Sequence, residues 1–283
     1  MVLAIMYLIS WKKKNISVKM LVKAVIAQFL IAVILVKVPA GRYVVSRVSD
    51  AVTSVINCGQ DGLSFVFGSL ADSTAAAGSV FAIQVLGNIV FLSALVSFLY
   101  YIGILGFVVK WIGKAVGKLM GTSEVESFVA VANMFLGQTD SPMPVAMVAL
   151  VAAVNKLLGV CGISLQQVFS YVFASFGFFL GLDPSEILLE GNLLGSKLVL
   201  NEFVAFQQLG GMISSMDYRT GMIFAISLCG FANFSSLGIC VSGIAVLCPE
   251  KKSTLARLVF KAMLGGVAVS LISAMVVGLV TLF

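Results

Sequence analysis

Gly195-Ser196-Lys197-Leu198-Val199-Leu200-Asn201-Glu202-Phe203-Val204-Ala205-Phe206 sets a lysine and a glutamate inside sequence otherwise built for lipid. On insertion scales each charge held at the bilayer centre costs about 2.5–3.5 kcal/mol, so two persist there only if they pair or bind something. The stretch therefore restricts the chain to a membrane bundle with a polar interior, and marks its own position as a functional site. Around it, 60% of the 283 residues are hydrophobic and 11% are charged, against about 25% charged in soluble domains. An all-α polytopic membrane protein follows, a single membrane domain over residues 1–283.

The net charge of +6 points to topology rather than to nucleic acid, because the 18 basic residues gather where helices leave the membrane. Lys12, Lys13, Lys14, Lys19 and Lys23 flank one junction, Lys110, Lys114 and Lys118 a second, and Lys251, Lys252 and Arg257 a third. All three are cytoplasmic by the positive-inside rule. The five cysteines have no paired spacing and read as small apolar fillers, and the absence of histidine excludes a histidine triad and a histidine-bearing zinc cluster. Asp140 and Glu202 could serve as acid and base, but no nucleophile, base and orienting group accompany them, so the chain is not read as an enzyme.

Residues 1–11 are apolar, yet at ~1.5 Å per residue they reach only about half of a ~30 Å hydrocarbon core. Lysines follow this run instead of preceding it, which favours a shortened first helix over a cleaved leader. Residues 20–39 make a span. Residues 42–58 mix Arg42, Arg47 and Asp50 with Val and Ile at helical spacing, as in an interfacial amphipathic helix. Residues 78–109 read as one long, tilted helix, and 111–122, with Gly113, Gly117 and Gly121, as a cytoplasmic connection. Ser123–Leu136 is a half-span stopped by Gly137-Gln138-Thr139-Asp140-Ser141-Pro142. Such a polar break survives at membrane depth only where it lines a cavity or is buried in protein. Apolar arms follow at Met143–Val160 and Leu165–Leu182, then a turn at Asp183-Pro184-Ser185-Glu186 with Asp183 or Ser185 as cap. Residues 187–209 read as a helix on which Lys197 and Asn201, four apart, share a face beside Glu202. A span over 220–247 is interrupted near Gly230–Gly238, and a last span runs from about 255 to 283. The organisation expected is scaffold helices over 1–122, a hairpin remnant joined to a later helix over 123–160, and a second hairpin with site helices over 161–283.

Polar interruptions in both halves match a secondary transporter of inverted repeats, with re-entrant hairpins, broken helices and a midplane site. The pattern G-x-K-x-x-x-N-E-F-V-A-F resembles the signature of the concentrative nucleoside transporter family. Gly137-Gln138-Thr139-Asp140 and Phe231-Ala232-Asn233-Phe234-Ser235-Ser236 also resemble family motifs, in the expected order. A nucleoside needs amides and carboxylates for its base and ribose, and an aromatic or apolar wall; Phe203, Phe206, Phe231 and Phe234 are candidates for the wall.

The resemblance implies that Gln138, Thr139 and Asp140 face the base, that Glu202, Asn233 and Ser236 hold the ribose with Phe231 close by, and that Lys197 and Asn201 support them. It also implies a sodium ion as coupling ion, held in part by Asn133 and by the carbonyl of Leu136, with a proton as the alternative. The partners implied are a nucleoside substrate, the lipid bilayer of the plasma (inner) membrane and a homotrimer moving as an elevator. This chain departs from the family in four ways, the shortened first helix being one. Asp140 stands where glutamate is usual, Gly87 where proline is common, and about a hundred or more residues are absent after Pro142-Met143. With those helices missing, the second expectation is a shortened, non-transporting relative that serves as a membrane scaffold or interaction partner.

Overall fold

In a computed structural model, residues 1–11, 13–72, 83, 87–136 and 143–283 are described, and among them are helices and no strand. The chain forms two compact units, residues 37–137 and residues 1–36 with 138–283.

The smaller unit begins with α3 (Pro39–Phe67), the third helix in chain order, whose first-turn Pro39 suits a helix start and which stops at Gly68, φ +56°. It is the amphipathic helix expected over 42–58, extended at both ends. Next, α4 (Gly87–Tyr101) and α5 (Ile104–Met120) replace the single tilted helix expected up to residue 109. Ile102 and Gly103 (φ +82°) separate them, and the axes turn by 79°. The connection expected over 111–122 is mostly helix for a packing reason. Gly113 and Gly117 let α5 approach α6 (Glu124–Leu136), where a Cβ on Gly113 would stand 3.3 Å from the Phe128 Cα. Leu105 and Val109 of α5 bury against Val131 and Ala132 of α6. A capping box starts α6: Glu126 N donates to Ser123 Oγ at 3.2 Å, and Ser123 N to Glu126 Oε2 at 3.1 Å.

The larger unit holds α1 (Val2–Ile9), α2 (Val18–Val36), α7 (Met143–Leu158), α8 (Leu165–Leu180), α9 (Pro184–Val199), α10 (Glu202–Gly210), α11 (Tyr218–Leu228), α12 (Phe234–Leu247) and α13 (Lys252–Leu282). By length and composition α2 and α13 can each cross a membrane, and the bent α4–α5 pair counts as a third span if taken as one. At 31 residues α13 is ~46 Å long, ample for a ~30 Å core. Outward-facing apolar side chains such as Ile26, Leu30 and Ile34 on α2 suit lipid contact. Cys58, Cys229 and Cys248 are exposed as well, and so do not fill the interior as expected.

The core of this unit joins α8, α9, α10, α11 and α13 through Phe173, Leu180, Leu193, Leu209, Phe224 and Leu271. Between α8 and α9 the packing is backbone to backbone. Cβ atoms on Gly191 and Gly195 would stand 2.4 Å from the Ser170 carbonyl oxygen and 2.8 Å from that of Gln166, so only glycine fits this close a crossing. Asn155 of α7 clamps the start of α8, donating to Gln166 Oε1 at 2.9 Å and accepting from Leu165 N at 2.7 Å.

Candidate functional site

Hydrogen bonds fix the directions of the helices that meet at the motif. Thr220 donates to Glu186 Oε2 at 3.2 Å, setting the first turn of α11 beside the first turn of α9. At the far ends, Lys197 Nζ donates to the carbonyls of Ser227 and Cys229, both at 2.9 Å. So α9 and α11 run the same way, and α10 must run back between them. The segment α9–α10 is a re-entrant hairpin with its turn at Leu200-Asn201. This corrects the single helix expected over 187–209: Asn201, extended at φ −168°, ψ 171°, does not share a helix face with Lys197. Its side chain instead caps α10, accepting from Val204 N at 2.9 Å. An asparagine that offers its oxygen to the next turn outcompetes the continuing helix.

The interruption expected near Gly230 is a break between α11 and α12, spanning Cys229–Asn233, with Gly230 at φ +96°. Both α11 and α12 pack on α13. Because Arg219 Nε donates to the Gly278 carbonyl at 3.4 Å and Ser270 Oγ to that of Cys229 at 2.6 Å, α13 is antiparallel to α11. Ser270 lies near the middle of α13, so the break sits about midway along a spanning helix.

Hairpin turn and helix break meet face to face. Asn233 Nδ2 donates to Glu202 Oε2 at 2.8 Å, and Ser235 Oγ to the Leu200 carbonyl at 3.4 Å. Asn233 Oδ1 also caps α12, accepting from Ser236 N at 2.8 Å. The Ser236 hydroxyl lies between Asn233 Oδ1, at 2.8 Å, and the Phe231 carbonyl. Glu202 opens α10 and Asn233 caps α12, so two helix N-termini point their positive ends at this carboxylate. Lys197 takes the opposite pole: 2% exposed, it neutralises the C-terminal carbonyls of α11, while Ser270 accepts from it at 3.2 Å. The acid and the base are thus sorted by helix polarity.

Of the residues expected in the site, Lys197, Asn201, Glu202, Phe231, Asn233 and Ser236 come together here. Asn133 and Leu136 lie in the last turn of α6, in the smaller unit. Gln138, Thr139 and Asp140 fall outside the described residues. Among the four phenylalanines, Phe206 and Phe234 pack on the core, Phe234 with its ring 5.7 Å from that of Phe169, while Phe203 and Phe231 are 43% exposed.

Two residues escaped the sequence. Ser270, in the featureless apolar run of α13, completes the lysine's shell. Glu190 is wholly buried in α9, so Glu202 is not the sole carboxylate of that apolar stretch. Neither Glu190 oxygen has a hydrogen-bond partner among the described residues, and the Ser227 hydroxyl beside it donates to the Phe224 carbonyl at 2.8 Å. Glu190 precedes Lys197 by two helical turns, a spacing that places both on one face of α9.

A re-entrant hairpin meeting a broken helix midway along a spanning helix, with paired helix ends around polar groups, defines a secondary transporter built on discontinuous helices. Residues 1–70 match the model for "Na+ dependent nucleoside transporter N-terminus", and 141–278 the model for the C-terminus of the same family. The chain belongs to this family, that of the concentrative nucleoside transporters. Its relatives include an uncharacterized transporter of Haemophilus influenzae, 29% identical over 395 residues, covering 98% of this chain and 95% of the relative. Nucleoside permease NupC of Helicobacter pylori is 26% identical over 400 residues, covering 98% and 96%. Sodium/nucleoside cotransporter 1 of Mus musculus is 23% identical over 381 residues, covering 89% and 58%. CNTnw in an inward-facing, substrate-bound state superposes with a TM-score of 0.86 at 24% identity, covering 100% of this chain and 96% of that one. An alignment of 395 positions to a chain of 283 leaves at least 112 at which the Haemophilus relative has residues and this chain has none.

Proposed function

We propose that the chain is a nucleoside importer of the plasma membrane whose ribose site is the junction of hairpin turn and helix break. The observation that carries this is the Asn233–Glu202 bond at 2.8 Å, which holds an amide and a carboxylate side by side between two helix N-termini. Such a pair can accept from and donate to vicinal hydroxyls without leaving a buried group unsatisfied. Glu202, Asn233 and Ser236 hold the ribose with Phe231 against it, Lys197 and Asn201 keep the two interruptions in shape, and Gln138, Thr139 and Asp140 read the base. Coupling is to sodium, with Asn133 and the Leu136 carbonyl among its ligands, or to a proton, and the site domain moves as an elevator within a homotrimer. Names of relatives such as Sodium/nucleoside cotransporter 1 support the sodium assignment. In calorimetry with uridine, Glu202→Gln is expected to lose at least a hundredfold in affinity with the melting temperature unchanged. Unaltered affinity overturns the assignment.

The missing alignment positions favour a second role for the chain as it stands, that of a membrane scaffold without coupled uptake. Asn133 and Leu136 offer two oxygens, too few to replace a sodium ion's hydration shell, and coupling requires that the two ligands' binding be linked. Proteoliposomes holding the 283-residue chain are expected to show no sodium-stimulated uridine accumulation, and a version with a relative's helices restored between Met143 and Pro144 to show it. Robust sodium-driven uptake by the short chain refutes the scaffold role.

A further inference from the structure

At the other end of α13 from Arg219, a cavity of about 790 Å³ opens among α1, the Lys13–Asn15 turn, the start of α2 and the start of α13. Its lining is mostly apolar, with Leu3, Met6, Leu21 and Leu258, and includes two ammonium groups, Lys13 and Lys261. Both lie against aromatic rings: Lys261 Nζ is 3.8 Å from the Trp11 ring centre and Lys13 Nζ is 5.4 Å from that of Tyr7. Lys261 also donates to the Ile9 carbonyl at 3.1 Å, which ends α1 and fixes the ammonium in place. Arg257 lies 5.9 Å from the same Trp11 ring centre. Among the described residues no carboxylate lines the cavity, and none forms an ion pair with these cations.

A mostly apolar trough with two cations and amphipathic rings complements a molecule with hydrocarbon tails, an anionic head and a glycerol backbone at the interface between them. We propose that this cavity is a binding site for an anionic glycerophospholipid, its phosphate between Lys13 and Lys261 and one acyl chain along Leu3, Met6 and Leu258. The charge selects the occupant. A zwitterionic lipid would bring its own cation to a cavity that already holds two, and a free phosphate would leave the apolar lining uncovered. The lipid ties α1 and the start of α2 to α13.

The test uses the full chain in detergent, with dioleoylphosphatidylglycerol, dioleoylphosphatidylcholine or inorganic phosphate added, followed by melting temperature and by native mass spectrometry. Phosphatidylglycerol is expected to raise the melting temperature well above the other two and to remain bound as one lipid per chain. Each ammonium removed should weaken it about five-fold, so Lys13→Gln loses about five-fold and Lys13→Gln with Lys261→Gln about twenty-fold or more. Because Lys261 also holds Ile9, the Lys13 single variant is the decisive charge change. Leu21→Trp, which fills the trough and leaves both lysines, should abolish the bound lipid. Equal stabilisation by phosphatidylcholine, an effect reproduced by phosphate alone, or phosphatidylglycerol binding unchanged in Lys13→Gln overturns the proposal.

Discussion

The two interruptions, Leu200-Asn201 and Cys229–Asn233, solve the same problem in opposite ways. Each must end one helix and begin another at membrane depth, where orphaned backbone groups find no water. Both restart on an asparagine that accepts the backbone N–H three residues on, at 2.9 Å in α10 and 2.8 Å in α12. They differ at the ending helix. The hairpin reverses within two residues, and among the described residues the Leu200 carbonyl receives one long bond, from Ser235. The break takes five residues, and its freed carbonyls receive the Lys197 ammonium. So the hairpin supplies the cation that the break lacks, while the break supplies the hydroxyl and amide used by the hairpin turn. Dependence is mutual but unequal for the freed carbonyls, since a charge on two of them outweighs a hydroxyl at 3.4 Å on the third, while the Asn233 amide serves the Glu202 carboxylate.

That inequality can be broken by substitution. Lys197→Met keeps the volume but strips the buried Ser227 carbonyl of its ammonium donor, at about 1–3 kcal/mol, and leaves the Cys229 carbonyl to Ser270. Its melting temperature in detergent should fall furthest of all site variants, and a small change would mean that the break stands without the hairpin. Asp217 gives a baseline remote from both interruptions. It caps α11, accepting from Arg219 N at 3.0 Å and Thr220 N at 3.3 Å, and the Thr220 side chain foremost, with these backbone bonds behind it, holds its carboxyl below the ordinary range. Asp217→Ala should cost about 1 kcal/mol. A depressed carboxyl contributes fully above its unfolded value near ~3.9 and loses that contribution as pH falls through the lower folded value. The gap between Asp217→Ala and the parent chain should therefore stay constant at neutral pH and close only in acid. Ser235→Ala, which removes one long bond, should cost the least, about 0.5 kcal/mol. A loss comparable to that of Lys197→Met would reverse the order of dependence.

Composition and polar breaks were enough to read a helical membrane protein and the stretch around Glu202, because charges in apolar sequence have few physical outcomes. What a linear reading missed was direction. Lys197 and Asn201 stand four apart, a spacing that suits a helix, and nothing short of the partner helix reveals that the chain turns between them. Gly113 and Gly117 looked like loop residues because their small size serves a turn and a close helix crossing equally well. Ser270 had no signal, since a serine that bonds within its own helix is common in apolar spans and its second role depends on a lysine 73 positions away. Glu190 was visible as a carboxylate, yet its want of a hydrogen-bond partner among the described residues depends on how α9 packs in the folded unit.

The glycine seam between α8 and α9 has a mechanical meaning. With Gly191 and Gly195 pressed on the carbonyls of Ser170 and Gln166, neither helix can slide past the other without driving a backbone atom into its neighbour. The outgoing arm of the hairpin is in effect welded to α8. Any displacement of the turn that bears Glu202 must then carry α8 as cargo or bend at Leu200-Asn201. Spin labels on exposed Tyr171 and Leu188 would keep one fixed separation through every state the molecule visits.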